Sequence, residues 1–88
     1  MQLILYSKPG CHLCEGLQEK LEQIKSIKFT LTSRDITTEE DWFTLYQYEV
    51  PILSLVTEKG EINLPRPSPR LNVQQLEQFL QKYLLTDN

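Results

Sequence analysis

YSKPGCHLC, residues 6–14, places two cysteines just behind a break in an apolar run. Upstream, QLILY (residues 2–6) is a short apolar run, Leu3 to Tyr6 behind Gln2, with no helical spacing, and it stops at Ser7, Lys8, Pro9 and Gly10. It reads as a buried strand running into a turn. Downstream, Cys14, Leu17, Leu21 and Ile24 recur at intervals of three, four and three, with Glu15, Glu19, Lys20 and Glu22 between them. That is the pattern of an amphipathic helix opening near Cys11. The CxxC motif therefore stands where a strand hands over to a helix N-terminus.

This placement gives the motif its chemistry. The thiolate is the reactive form of cysteine, and the free N–H groups and positive dipole end of a helix stabilise it below its ordinary pKa of about 8.5. Cys11 sits where that effect is largest. Helical spacing brings Cys14 beside it one turn later, pointing more toward the core. A thiolate at Cys11 can attack an external disulfide, and Cys14 can then resolve the mixed disulfide by exchange. A purely structural bridge is a weak alternative, because a loop closed around His12 and Leu13 is too short to restrict the unfolded chain much.

Working outward, residues 28–33 alternate Phe29 and Leu31 against threonines and read as a half-buried strand. In DITTEEDW, Thr37 and Glu40 have capping-box spacing and Glu39, Glu40 and Asp41 bring negative charge to a first turn. A second helix is expected from there to about Tyr48, burying some of Trp42, Leu45 and Tyr46 as core aromatics and aliphatics. It must stop before Val50, since Pro51 disfavours helical geometry in the residue ahead of it. ILSLV and EINL, joined through Gly60, form a hairpin signature. LPRPSPR is an extended connector, and Asn72 caps a last helix carrying Val73, Leu76, Phe79, Leu80 and Tyr83 on one face. Residues 86–88 are expected to fray.

The order is strand-helix-strand-helix-strand-strand-helix, which predicts an α/β fold with a four-stranded mixed sheet flanked by helices. Eighty-eight residues with 40% apolar and 24% charged side chains suit one soluble globular domain, 1–88. Alanine is absent, so the apolar count rests on larger side chains. No apolar run approaches the roughly 20 residues of a membrane helix, and MQLILYSKPG is too short and too soon broken for a signal peptide. A cytoplasmic monomer is the expectation. Net charge is -3, and residues 34–49 carry one positive against five negative side chains. No basic stripe suggests nucleic acid as a partner.

With YSKPGCHLC at the first junction, Val50-Pro51 opening the third strand, and this element order, the chain resembles the glutaredoxin-like proteins of the thioredoxin-fold superfamily over nearly its whole length. The resemblance implies a thiol–disulfide oxidoreductase serving cell redox homeostasis, with protein or small-molecule thiols and disulfides as partners. It implies a cis peptide at Pro51, facing the cysteines, and pairing of the Val50 backbone with bound substrate. Lys8 matches a lysine that glutaredoxins commonly carry, which would favour the thiolate and attract a glutathione carboxylate; the alternative is a solvated lysine. His12 either stabilises the thiolate when protonated or points to solvent.

Two positions depart from the glutaredoxin pattern. Glu49 stands where a threonine usually precedes Val-Pro, and PRPSPR replaces a Gly-Gly turn that receives glutathione. Prolines remove N–H donors, so glutathione is at most a co-substrate and no bound cofactor is expected. Arg66 and Arg70 in that loop either bind carboxylates or are solvated. Two further readings stay open. One is metal or iron–sulfur binding through the CxxC, where two thiols and one imidazole fall short of a four-ligand zinc site but a cluster bridged across a dimer is conceivable. The other is a non-catalytic binding module using the acidic segment 35–49.

Overall fold

In the computed structural model, which describes residues 1–84, β1 (Gln2–Ser7) is an inner strand of a four-stranded sheet. The others are β2 (Thr30–Asp35), β3 (Ile52–Thr57) and β4 (Gly60–Asn63), in the spatial order β2-β1-β3-β4. β1 pairs with β2 in parallel and with β3 antiparallel, and β3 with β4 antiparallel. The helices are α1 (His12–Glu22), α2 (Glu40–Tyr46) and α3 (Val73–Leu84). This is the expected α/β architecture with its mixed sheet. The expectation about residues 86–88 lies outside the described residues.

β1 is apolar and buried from Leu3 to Tyr6 because both its faces are covered there. Leu3 and Leu5 point to one side and join Leu21 of α1, Leu53 of β3, and Leu76 and Leu80 of α3 in the main core. Ile4 and Tyr6 point to the other side, where Ile36, Trp42 and Tyr46 pack on them. So α1 and α3 cover one face, and the segment from Ile36 through α2 covers the second. Asn72 caps α3 as expected: its Oδ1 accepts from the Gln75 N–H at 2.8 Å while the Gln75 side chain accepts from the Asn72 N–H at 3.0 Å. This is a reciprocal capping box.

The start of the second helix corrects the sequence reading. Thr37 is no helix cap; residues Ile36–Thr38 form a single 3-10 turn capped by Asp35. The Asp35 carboxylate accepts from the Thr37 N–H at 2.9 Å and its hydroxyl at 2.6 Å, and these bonds hold its pKa below the usual carboxylate value. Because the threonines are used there, α2 begins at Glu40 with Glu39 ahead of it and no side-chain cap. It ends at Tyr46 rather than Tyr48, and Leu45 is 63% exposed. Trp42 and Tyr46 make the contact with the sheet, their rings 5.8 and 4.8 Å from that of Tyr6.

A polar line crosses this second face. The Arg34 guanidinium on β2 donates to the Tyr6 hydroxyl at 2.9 Å and pairs with Glu61 on β4 at 3.1 Å. Tyr6 in turn donates to Glu61 at 2.5 Å, and Arg34 lies 5.1 Å from the centre of the Trp42 ring. Burial, then the bond to Glu61, push the Tyr6 phenol up to about 12, against the opposing influence of Arg34. A folded-state pKa above the unfolded value favours folding below that unfolded value, near pH 10, and the contribution disappears as pH rises through the folded value. Stability should therefore fall between about pH 10 and 12, and Tyr6→Phe should flatten that fall. Alkaline denaturation of both proteins, with tyrosinate absorbance as a second readout, checks this. Ionisation of all four tyrosines in one step near pH 10 would contradict it.

Candidate active site

The strand β1 delivers the chain to the dithiol through a turn whose residues are suited to it. The Cys11 N–H bonds to the Lys8 carbonyl at 3.3 Å, with Pro9 and Gly10 between them. Gly10 has φ of 78°, the left-handed conformation that the third position of a Pro-Gly turn requires and a Cβ resists. Cys11 is then the N-cap of α1, in extended conformation.

The two sulfurs are joined, with the Cα atoms 5.3 Å apart. Their surroundings differ. Cys14 is 3% exposed and belongs to the buried face of α1, whereas Cys11 is half-buried at the surface. The Cys11 Sγ also accepts the backbone N–H of Cys14 at 3.2 Å. That donor is one of the helix N-terminal N–H groups left without a partner in the ladder. Negative charge on Cys11, in the reduced state, would fall on the same donor.

The Val50–Pro51 peptide bond is cis, and Pro51 is buried. Pro51 lines the same pocket as His12 and Leu13, so it stands on the side of the dithiol where α1 begins. The remaining sequence-predicted residues are placed less simply. Lys8 turns its ammonium to the Gln47 carbonyl, 3.1 Å away, just beyond α2. His12 is 95% exposed and sits 3.4 Å from Glu15. Its ring is almost fully exposed, at the rim of that pocket.

Arg66, which the sequence left between two roles, donates to the Glu49 carbonyl immediately before Val50. Lys20, a residue sequence reasoning passed over, reaches from α1 to the Pro69 carbonyl at 2.9 Å. Together these bonds draw the 65–71 segment against α1 and against the chain entering the cis proline. The result is an open pocket of about 90 Å³ between α1, Pro51 and that segment. Among the described residues no cluster of three or more His, Cys, Asp or Glu is arranged to hold a metal ion, and no helix is long and apolar enough to cross a membrane.

The chain thus carries a dithiol at a strand-turn-helix junction and a cis proline just ahead of β3, and residues 2–81 match the family described as the glutaredoxin-like domain (DUF836). The chain belongs to that family. Among solved structures, the glutaredoxin-like chain is similar to the Northeast Structural Genomics target protein XcR50 from X. campestris. That likeness has 27% identity, a TM-score of 0.60, and coverage of 91% of this chain and 96% of the other. It also resembles thioredoxin 1 from the thermophilic eubacterium Thermosipho africanus TCF52B, with 16% identity, TM-score 0.61, and coverage of 93% and 97%. A structure titled as a malarial protein matches at 15% identity and TM-score 0.64, covering 94% and 96%. The last two likenesses speak to the fold alone. No curated protein matches the chain significantly.

Proposed function

We propose that this glutaredoxin-like protein is a thiol–disulfide oxidoreductase, with Cys11 as nucleophile and Cys14 as resolving thiol. The observation that carries the reading is the asymmetry of the pair. Cys11 is accessible and receives the Cys14 N–H at 3.2 Å, while Cys14 is buried behind it. In the reduced protein the Cys11 thiolate attacks one sulfur of a substrate disulfide, forming a mixed disulfide and releasing the first substrate thiolate. Cys14 then loses its proton and attacks the Cys11 sulfur. The second substrate thiolate leaves, the proton passes to a thiolate or to solvent, and the Cys11–Cys14 disulfide remains. Two electrons have moved from protein to substrate.

Around this exchange, the Val50 backbone and Pro51 would line up the substrate chain, and Lys8 would add positive potential beside the thiolate. His12 would do the same only when protonated. The substrates are protein or small-molecule disulfides, and glutathione or a dithiol reductase returns the electrons. The cytoplasm, where thiols are kept reduced, suits a dithiol of this kind in redox homeostasis.

Alkylation of the reduced protein across a pH series tests the reading. Cys11 should react with a midpoint clearly below the ~8.5 of a free thiol, and Cys14 should react slowly at every pH while the protein stays folded. An unshifted Cys11, or equal reactivity of the two thiols, would count against the assigned roles.

A further inference from the structure

The pocket beside the dithiol is lined by Leu13 and Leu17 of α1, by Pro51, and by Pro67 and Leu71 of the loop after β4. Its volume is about 90 Å³. An engineered apolar cavity of about 150 Å³ holds benzene, so this one has room for a single aliphatic side chain. Lys20 and Arg66 also line it, and no carboxylate does. That is uneven for a chain with twelve acidic and nine basic side chains.

Neither cation forms an ion pair with a carboxylate of the described residues. Each donates one bond to a backbone carbonyl, Lys20 to Pro69 and Arg66 to Glu49. An ammonium has three donors and a guanidinium five, so both keep donors and their full charge for a ligand. Their heads are meanwhile held at the pocket by the carbonyl they already bind. The Arg66 tether ends one residue before Val50.

We propose that this pocket docks a polypeptide disulfide in which an apolar side chain next to the reacting cysteine fills the cavity and an adjacent carboxylate meets Arg66 and Lys20. The proposal rests on the oxidoreductase reading and narrows its substrate class. Glutathione has no aliphatic side chain to occupy the cavity, and PRPSPR offers few N–H donors to receive its backbone. An acidic, apolar peptide segment satisfies both the lining and the charge.

The test uses the reduced full chain carrying Cys14→Ser and a set of peptides joined through cysteine to 2-nitro-5-thiobenzoate. The Cys11 thiolate attacks the peptide sulfur, the sulfur–sulfur bond to the nitrothiobenzoate breaks, and that group departs as a coloured thiolate. A peptide built on Leu-Cys-Glu should react about tenfold faster than one built on Leu-Cys-Lys, two partly exposed charge pairs being the cause. Replacing its leucine by serine should slow it about tenfold. Arg66→Gln should lower the acidic-to-basic ratio about threefold, Arg66→Lys should retain most of it, and added salt should reduce it. Lys59→Gln, in the turn between β3 and β4, should leave the ratio where it is.

Acidic and basic peptides reacting within about twofold of one another, or a ratio indifferent to Arg66→Gln, would overturn the proposal. Reduction of hydroxyethyl disulfide by the unaltered protein separates the two readings. If no disulfide reacts, the oxidoreductase reading falls, and docking is then decided by amide shifts at Leu13, Gly16 and Leu71 on adding the Leu-Ser-Glu peptide. Shifts at those positions support the docking site, and their absence overturns it.

Discussion

Cys11→Ser should abolish disulfide exchange, lowering the rate by a factor on the order of 10³ or more. A hydroxyl at this position has neither the acidity nor the nucleophilicity of the thiol, and Cys14 cannot substitute for it. Cys14 is 3% exposed and faces the core, so an incoming disulfide cannot line up behind its sulfur. Cys14→Ser should behave differently. Its Cys11 keeps the backbone N–H of residue 14, because that donor belongs to the main chain. The first attack therefore proceeds, and the mixed disulfide accumulates to about one equivalent for want of a resolving thiol. Intact mass after mixing with an excess of substrate disulfide reads both outcomes. An adduct on Cys14 in the Cys11→Ser protein, or none on Cys11 in the Cys14→Ser protein, would reverse the roles.

The second large effect is on stability. Leu5→Ala should cost about 2–5 kcal/mol, the range for truncating a buried leucine, because the cavity it leaves is only partly filled by its neighbours. Leu5 is 0% exposed on an inner strand, held between β2 and β3 and covered by the main core. In a domain of this size each kcal/mol lowers Tm by about 4–8 °C, so the shift should be at least about 8 °C. Leu45→Ala is the matched control. Leu45 is 63% exposed on α2, and its truncation should stay within about 0.5 kcal/mol. Urea or thermal unfolding of the two variants gives the comparison. Equal losses would mean that α2 packs far more tightly than its exposure shows.

Local pattern was enough to place the elements that present the dithiol. The break from an apolar run to Ser-Lys-Pro-Gly marked the end of β1 and the three-four spacing marked α1, while the proline at position 51 only bounded α2, which stops earlier, at Tyr46. The cis bond at Pro51 was a different matter. Composition alone assigns such a bond only about a 5–6% chance, and the family resemblance supplied it. The 3-10 turn at Ile36–Thr38 was misread because Thr37 and Glu40 have the spacing of a cap, yet Asp35 competes for the same N–H and wins.

The features that shape the site's surroundings were not legible, for a common reason. Lys8 meets Gln47 across 39 residues, Lys20 meets Pro69 across 49, and Tyr6 meets Glu61 across 55. No periodicity records such partners, since each depends on where the finished sheet and loops carry two remote side chains. Arg34 carried a faint signal, as a cation inside an otherwise acidic stretch. Lys20 carried none, because an amphipathic helix is expected to have lysines on its outer side.

The bonds that frame the dithiol have a chemical peculiarity. Lys8, Arg66 and Lys20 fasten three separate stretches of chain by donating to the carbonyls of Gln47, Glu49 and Pro69. A peptide carbonyl is neutral and does not take up a proton in ordinary acid, and an ammonium or guanidinium stays charged there. These fastenings thus lack the usual point of failure of an ion pair, the carboxylate that is neutralised as acidity rises. The loops around the two sulfurs should hold their arrangement through an acid excursion that discharges every surface glutamate, whereas amine acylation, which discharges Lys8 and Lys20 but leaves the Arg66 guanidinium intact, should loosen two of the three fastenings.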